Sequence, residues 1–243
     1  MDNWLRPAWP APPQVQAVTT TRQGGVSAPP YASLNLADHV GDDPAAVAEN
    51  RQRLAHHLAL PATPLWLQQH HGCSVARAAE NGLNPHADAC YSETPGEVCA
   101  VLTADCLPLL VTTRSGDAVA AIHAGWRGLA AGVIEATLAH FPPNDPLLIW
   151  LGPAIGPTAF EVGEEVREAF LRRDPGDRVA FAPSRPGHWW ADLYTLARRR
   201  IAPFRPACIV GGERCTYRES EHFFSYRREG RCGRMVSLIW REG

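Results

Sequence analysis

Four short apolar runs, Val98–Leu102, Leu109–Thr113, Ala118–Ile122 and Leu147–Leu151, most constrain what this chain can fold into. Each is too short for a core helix, and Pro108 and Gly152-Pro153 break the chain beside two of them. Runs of this length and character read as buried strands. Val15–Thr20, Leu65–Gln69, Cys208–Val210 and Arg234–Trp240 read as further strands, and Arg22–Gly25 as a turn. Helical spacing appears elsewhere. Asp43-Pro44 is a helix start, with Asp43 as N-cap and Pro44 in the first turn; Val47, Leu54 and Leu58 follow on one face up to Pro61. Gly128–His140, Gly163–Arg172 and Asp192–Ile201 read as helices that bury Leu129, Val133, Ile134 and Leu138, then Val166 and Phe170, then Leu193, Leu196 and Ile201. Strands and helices mix without strict alternation, which predicts an α+β fold rather than a doubly wound sheet. One domain over 1–243 is expected, with residues 1–13, polar and proline-rich, as a loosely held arm.

The charge inventory narrows the chemistry. All 23 basic residues are arginine. Lysine Schiff bases and P-loop lysines are therefore excluded, and an anion must be held by arginine, by backbone N–H groups or by a metal. A net charge of −2 predicts no general affinity for nucleic acid or anionic membrane. No apolar run approaches a membrane span and the N-terminus has no signal-like apolar stretch. Seven scattered cysteines with no C-x-x-C pair are not a disulfide framework, so a reducing cytoplasm is the expected compartment.

Three segments place a metal-capable side chain beside Gly or Pro near a strand end: Gln69-His70-His71-Gly72, Ala104-Asp105-Cys106-Leu107-Pro108 and His123-Ala124-Gly125-Trp126-Arg127-Gly128. Two imidazoles and a thiolate suit zinc, and three protein ligands leave the open position of a catalytic site. The spacings are too long for a zinc finger, and spacing alone does not choose between His70 and His71. Asp105 could orient a histidine ligand or act as acid or base, and Arg127 brings a forked cation to a helix start. The competing reading is that isolated His and Cys residues are ordinary core or surface residues. It is adopted for His39, His86, His188 and His222, and for Cys73, Cys90, Cys99, Cys208 and Cys232 as small buried hydrophobes.

Read together, the segments resemble the YfiH/laccase-domain family, described earlier as multicopper polyphenol oxidases and now as purine nucleoside phosphorylases. The resemblance runs through Thr21-Arg22-x-Gly24-Gly25-Val26-Ser27, Ser33-Leu34-Asn35-Leu36, His39-Val40-Gly41-Asp42 and Glu49-Asn50-Arg51. It continues in Gln69-x-His71-Gly72, Ala87-Asp88-Ala89, Thr103-Ala104-Asp105-Cys106-x-Pro108 and His123–Gly128. Gly152-Pro153-x-Ile155, Phe160-Glu161-Val162-Gly163 and Phe224-Ser225-Tyr226-Arg227-Arg228 complete it.

The resemblance implies a layered α+β sandwich, mixed sheets inside and helices outside, with metal ligands His71, Cys106 and His123. It implies zinc, with copper(II) able to enter the same donors. The implied activity is phosphorolysis of adenosine, inosine and methylthioadenosine to base and sugar 1-phosphate, with adenosine deamination as a second activity. Partners would then be a purine nucleoside and phosphate. Cys106, His123 and Asp105 are the catalytic candidates, and Arg51 and Arg127 the phosphate holders by motif position. Two alternatives stay open: a cysteine hydrolase or amidase acting on peptidoglycan precursors, with Cys106 as nucleophile and His123 as its base, and a copper-dependent polyphenol oxidase.

Overall fold

A computed structural model describes residues 4–77 and 85–243. In chain order its strands are β1 (Trp4–Leu5), β2 (Val15–Thr20), β3 (Val75–Arg77), β4 (Ala89–Ser92), β5 (Val98–Thr103), β6 (Leu107–Thr113) and β7 (Val119–Ala124). They continue with β8 (Leu147–Leu151), β9 (Glu161–Gly163), β10 (Phe181–Pro183), β11 (His188–Ala191), β12 (Cys208–Gly211) and β13 (Met235–Arg241). The helices are α1 (Pro44–His57), α2 (Trp126–Ala131), α3 (Val133–Leu138), α4 (Glu164–Leu171), α5 (Leu193–Ile201) and α6 (Tyr226–Glu229).

Two sheets form the centre. One is antiparallel, in the order β1-β2-β13-β5. The other is mixed, in the order β12-β8-β6-β7-β4-β3, with β12 parallel to β8 and β3 parallel to β4. A small sheet, β10-β11-β9, stands apart. Alternation along the strands fixes the layers, because neighbouring side chains point to opposite faces. Ala17, Cys99, Val101 and Ile239 from the first sheet pack with Cys90, Leu110, Val119 and Ala121 from the second. The second sheet's other face buries Leu109, Val111, Ala120 and Ile122 under the helices that carry Leu129, Val133, Phe170 and Leu196. The first sheet's outer face, with Val18, Ala100 and Leu238, is covered by Leu34, Leu36 and Leu54. The result is the expected single-domain α+β sandwich, sheets inside and helices outside.

Several local expectations change. Within the proposed loose arm, Trp4–Leu5 pairs with Thr19–Thr20, and Trp9 and Ala11 pack on the core, because their apolar surface is better covered than exposed. Leu65–Gln69 is not a strand: only Leu65 bridges to Cys99. Gln69 substitutes its side-chain amide for a backbone rung, donating to Leu102 O and accepting from Leu102 N. Pro108 does not break pairing but lies inside β6, opposite His123. It lacks only a donor, and its carbonyl still accepts from Gly152 N. The helix read across 128–140 is two helices, α2 and α3, divided at Gly132, whose φ of 106° no helix interior allows. Cys73 is exposed and Cys208 half-buried, whereas Cys90, Cys99 and Cys232 are buried.

One buried ion network holds the helical layer. Asp177 is fully buried and takes Arg199 Nε at 2.6 Å, with both terminal nitrogens of Arg200 also on its carboxylate. Removing one partner strands buried charge. Asp177→Ala is expected to lower unfolding stability by about 3–5 kcal/mol. Equilibrium denaturation measures this, and a change below about 1 kcal/mol, the value of an exposed pair, would contradict it.

Candidate functional site

The chain leaves the first sheet after β5 and enters the second at β6, and Asp105 and Cys106 occupy that crossing. Asp105 has φ 92°, a left-handed value seldom adopted outside glycine. It is held there by bonds at both ends: Oδ1 accepts from Thr216 Oγ1 at 2.6 Å, and Oδ2 from the Arg227 backbone N–H at 2.7 Å. The turn presents Cys106 Sγ to His71 and His123. His71 also has positive φ, 63°. Cost of this kind persists where surrounding bonds over-determine the conformation.

Those bonds come from Asp88, a fully buried carboxylate just before β4. It accepts from the backbone N–H groups of His71 at 2.9 Å and Gly72 at 2.7 Å. Its Oδ1 lies 2.8 Å from His123 Nδ1, and its own carbonyl accepts from His123 N. A carboxylate only accepts, so Nδ1 of His123 carries the proton and Nε2 is free for another partner. Asp88 thus performs the histidine-orienting role expected of Asp105. Nothing in the sequence beyond its place in Ala87-Asp88-Ala89, an acid between small apolar residues, pointed to it.

The donor atoms of His71, Cys106 and His123 all lie within 4.8 Å of one another, with Cys106 Sγ 3.9 Å from His71 Nε2. The two imidazole rings meet edge to face, centroids 4.8 Å apart. Neighbouring donors around a tetrahedral zinc stand roughly 3.3–3.8 Å apart, given zinc bonds of about 2.0–2.3 Å. The trio therefore fits a metal with little adjustment. Gly125 is required beside it: a Cβ there would stand 2.9 Å from both Cys106 Sγ and His71 Cδ2. His70 is half-exposed with Nδ1 3.4 Å from Asp88 and is not one of the gathered donors.

Electrostatics favour the deprotonated thiol. Burial would raise the Cys106 thiol, but the charge of His123 and hydrogen bonds from His123 and His71 bring it down to about 6. Burial would lower His123, yet the Cys106 thiolate and Asp88 lift it to about 9. Burial likewise works against the Asp88 carboxylate, and the His123 bond with the Gly72 and His71 N–H groups still holds it below its ordinary value. These shifts favour a thiolate beside a protonated His123, and a cation on the same donors would take the place of that proton.

The trio opens into a cavity of about 550 Å³. Asp105 and Arg127 line it with the three donors. His39, Trp126, Phe160, Tyr226, Arg227 and Arg234 also line it, and none of these was singled out as a site residue from sequence. Arg51 does not. It lies in a neighbouring hollow of about 390 Å³, its guanidinium 4.1 Å over Trp66, with Nε bonded to Leu36 O and Nη2 3.3 Å from Asp38. The hollow shares His39, Gln69 and Leu102 with the cavity.

Residues 16–242 match the family model described as multi-copper polyphenol oxidoreductase laccase. The chain is 53% identical over 242 residues to a protein of Pseudomonas aeruginosa named purine nucleoside phosphorylase, covering 99% of each. It is 54% identical to the purine nucleoside phosphorylase YfiH of Escherichia coli, again covering 99% of each. Among solved structures it is similar to a Neisseria meningitidis protein of the DUF152 family model, with a TM-score of 0.95, 48% identity and complete coverage of both chains. YlmD of Geobacillus stearothermophilus is similar with a TM-score of 0.88 and 33% identity, also over the whole of both chains.

Proposed function

The chain belongs to the multi-copper polyphenol oxidoreductase laccase family, and from that membership we propose that it is a metal-dependent purine nucleoside phosphorylase acting on adenosine and inosine. The observation that carries the reading is the His71–Cys106–His123 trio at the wall of a cavity of nucleoside size. Relatives matched from end to end and named purine nucleoside phosphorylase support the substrate class. Zinc is the proposed ion, since two imidazoles and a thiolate suit it and three donors leave one position open. Copper(II) would compete for the same donors. When bound, such an ion supplies Lewis acidity toward an oxygen and can lower the pKa of bound water to about 7.

The protein's own groups do the rest. Asp88 fixes the His123 tautomer, and Gly125 gives the donors room. Trp126, Phe160 and Tyr226 give the cavity an apolar, aromatic wall against which a purine could pack. Arg127 is the proposed phosphate contact. Asp105 keeps its place in the site as a positioning residue, because both its oxygens are already engaged. In phosphorolysis a phosphate oxygen bonds to C1′ of the sugar while the bond from C1′ to the base breaks. The electron pair leaves with the purine, which takes up a proton from water. Adenosine deamination and methylthioadenosine cleavage are proposed side activities of the same cavity. A cytoplasmic setting suits seven unpaired cysteines and a thiolate ligand.

The polyphenol oxidase named by the family description fits less well. Among the described residues one donor trio gathers, whereas multicopper chemistry needs several histidine clusters. The cysteine-hydrolase reading has the lowered Cys106 thiol in its favour. A nucleophile needs a single imidazole, however, and two converge on this sulfur, which is the arrangement of a ligand. The deciding assay is base release from inosine by the zinc-loaded protein. Release is expected to require phosphate and to yield ribose 1-phosphate; release at an equal rate without phosphate would indicate hydrolysis and end the phosphorylase reading.

A further inference from the structure

The cavity does not end at the metal-capable trio. A second hollow of about 430 Å³ shares Trp126, Arg127, Phe160 and Arg227 with it as lining residues, so both arginines border both spaces. We infer that these two arginines form a clamp for a phosphate group between the two spaces, with Arg227 the member given no role from sequence; which phosphate it holds in the cell rests on the phosphorylase reading.

The charge balance points this way. Asp105 is the cavity's one carboxylate among the described residues, and its two oxygens are taken by Thr216 and the Arg227 backbone. The arginines on the same wall have donors to spare. Arg127 is exposed, its guanidinium 4.5 Å over Trp126, with no hydrogen bond or ion pair among the described residues. Arg227 is also exposed and uses one nitrogen, Nη1, on the Glu161 carbonyl at 2.8 Å while lying 5.3 Å over Phe160. Within the second hollow Glu161 is already neutralised by Arg185 and bonded by Ser184, and Glu165 folds back toward Gly163. Arg234, a third arginine of the cavity, spends Nη1 on the Cys232 and Gly233 carbonyls, lies over Tyr226 and does not line the second hollow. Arg127 and Arg227 are the two planar forks common to both spaces, each over an aromatic ring. That geometry suits bidentate grip on phosphate oxygens. Asp105 couples the clamp to the trio: it anchors the Arg227 backbone and is adjacent to Cys106.

The shared ligand chemistry is a phosphate group, either free orthophosphate or the 5′-phosphate of a purine nucleotide. The test uses the full-length, metal-loaded protein and its Arg127→Met, Arg227→Met and doubly substituted forms. Dissociation constants for inorganic phosphate and for a purine nucleoside 5′-monophosphate are measured by calorimetry, with metal content recorded alongside. Each single variant is expected to weaken phosphate binding about ten- to a hundredfold at unchanged metal content. The double variant should lose less than the product of the two, as for groups sharing one ligand. Arg227→Lys should recover only part, because an ammonium keeps the charge but not the fork. Weakened nucleotide binding with unchanged orthophosphate binding would keep the clamp and assign it to the 5′-phosphate. Unchanged affinity for both probes in Arg227→Met would overturn the inference. Phosphate-independent base release by the unaltered protein would instead strike only the phosphorylase reading, since the binding measurements do not depend on turnover.

Discussion

Asp88→Ala is expected to disable the site more thoroughly than any substitution outside the donor trio. The carboxylate satisfies two backbone N–H groups of the His71 loop and the Nδ1–H of His123 at once. Without it, His71 has no reason to keep φ at 63°, and His123 is free to rotate or change tautomer. Loss of a single partner behind a metal-bound histidine typically costs about 10–100-fold in metal affinity. Here one side chain orients two of the three donors, so a loss at or beyond the upper end is expected. Asp88→Asn should fall between, because its amide keeps one acceptor oxygen and turns a donor toward groups that also donate. Competition with a chelator of known affinity measures this. An Asp88→Ala protein that holds zinc as tightly as the unaltered chain would show that the loop and ring are fixed by something else.

The strands were legible where short, β-branched or apolar runs ended at turn or proline signals. Val15–Thr20 and Val98–Thr103 emerge almost residue for residue. Segments stabilised by side chains rather than by ladders were misread. Leu65–Gln69 has the apolar content of a strand, yet the Gln69 amide replaces the backbone pairing. Helical periodicity runs straight through Gly132, so only backbone conformation shows that two helices meet there. The donor trio was visible as three residues next to Gly or Pro, but its convergence depends on a chain crossing between two sheets, which no local pattern encodes. Asp88 and Arg227 escaped for opposite reasons. Asp88 is buried beside a strand and acts through the backbone of another loop. Arg227 stands within a recognised motif but on a four-residue helix, and its backbone N–H donates to Asp105, 122 positions away, a contact no local pattern shows. Arg51 illustrates the converse: a charged residue inside a recognisable motif can serve a stacked ion pair in the next hollow instead of the cavity.

Cys106→Ala should abolish metal retention while leaving the fold intact, and this separates the ligand and nucleophile readings of the thiol. The sulfur faces the cavity rather than the packed core, so truncating it removes little apolar contact. What it removes is the anionic donor. Two neutral imidazoles remain, one fewer than the three protein donors of the usual catalytic zinc site. Metal content is expected to drop from about one ion per chain to a small fraction, and His71→Ala should do the same. If Lewis acidity contributes the several kcal/mol usual for such ions, base release should fall at least about a hundredfold. Cys106→Ser sharpens the distinction, because a hydroxyl is a poor zinc donor at neutral pH but can still serve as a slow nucleophile. The ligand reading expects the serine form to resemble the alanine form in both metal content and rate. A covalent adduct on Cys106 seen by mass spectrometry under turnover, together with full metal retention in Cys106→Ala, would move the thiol from the metal to the substrate.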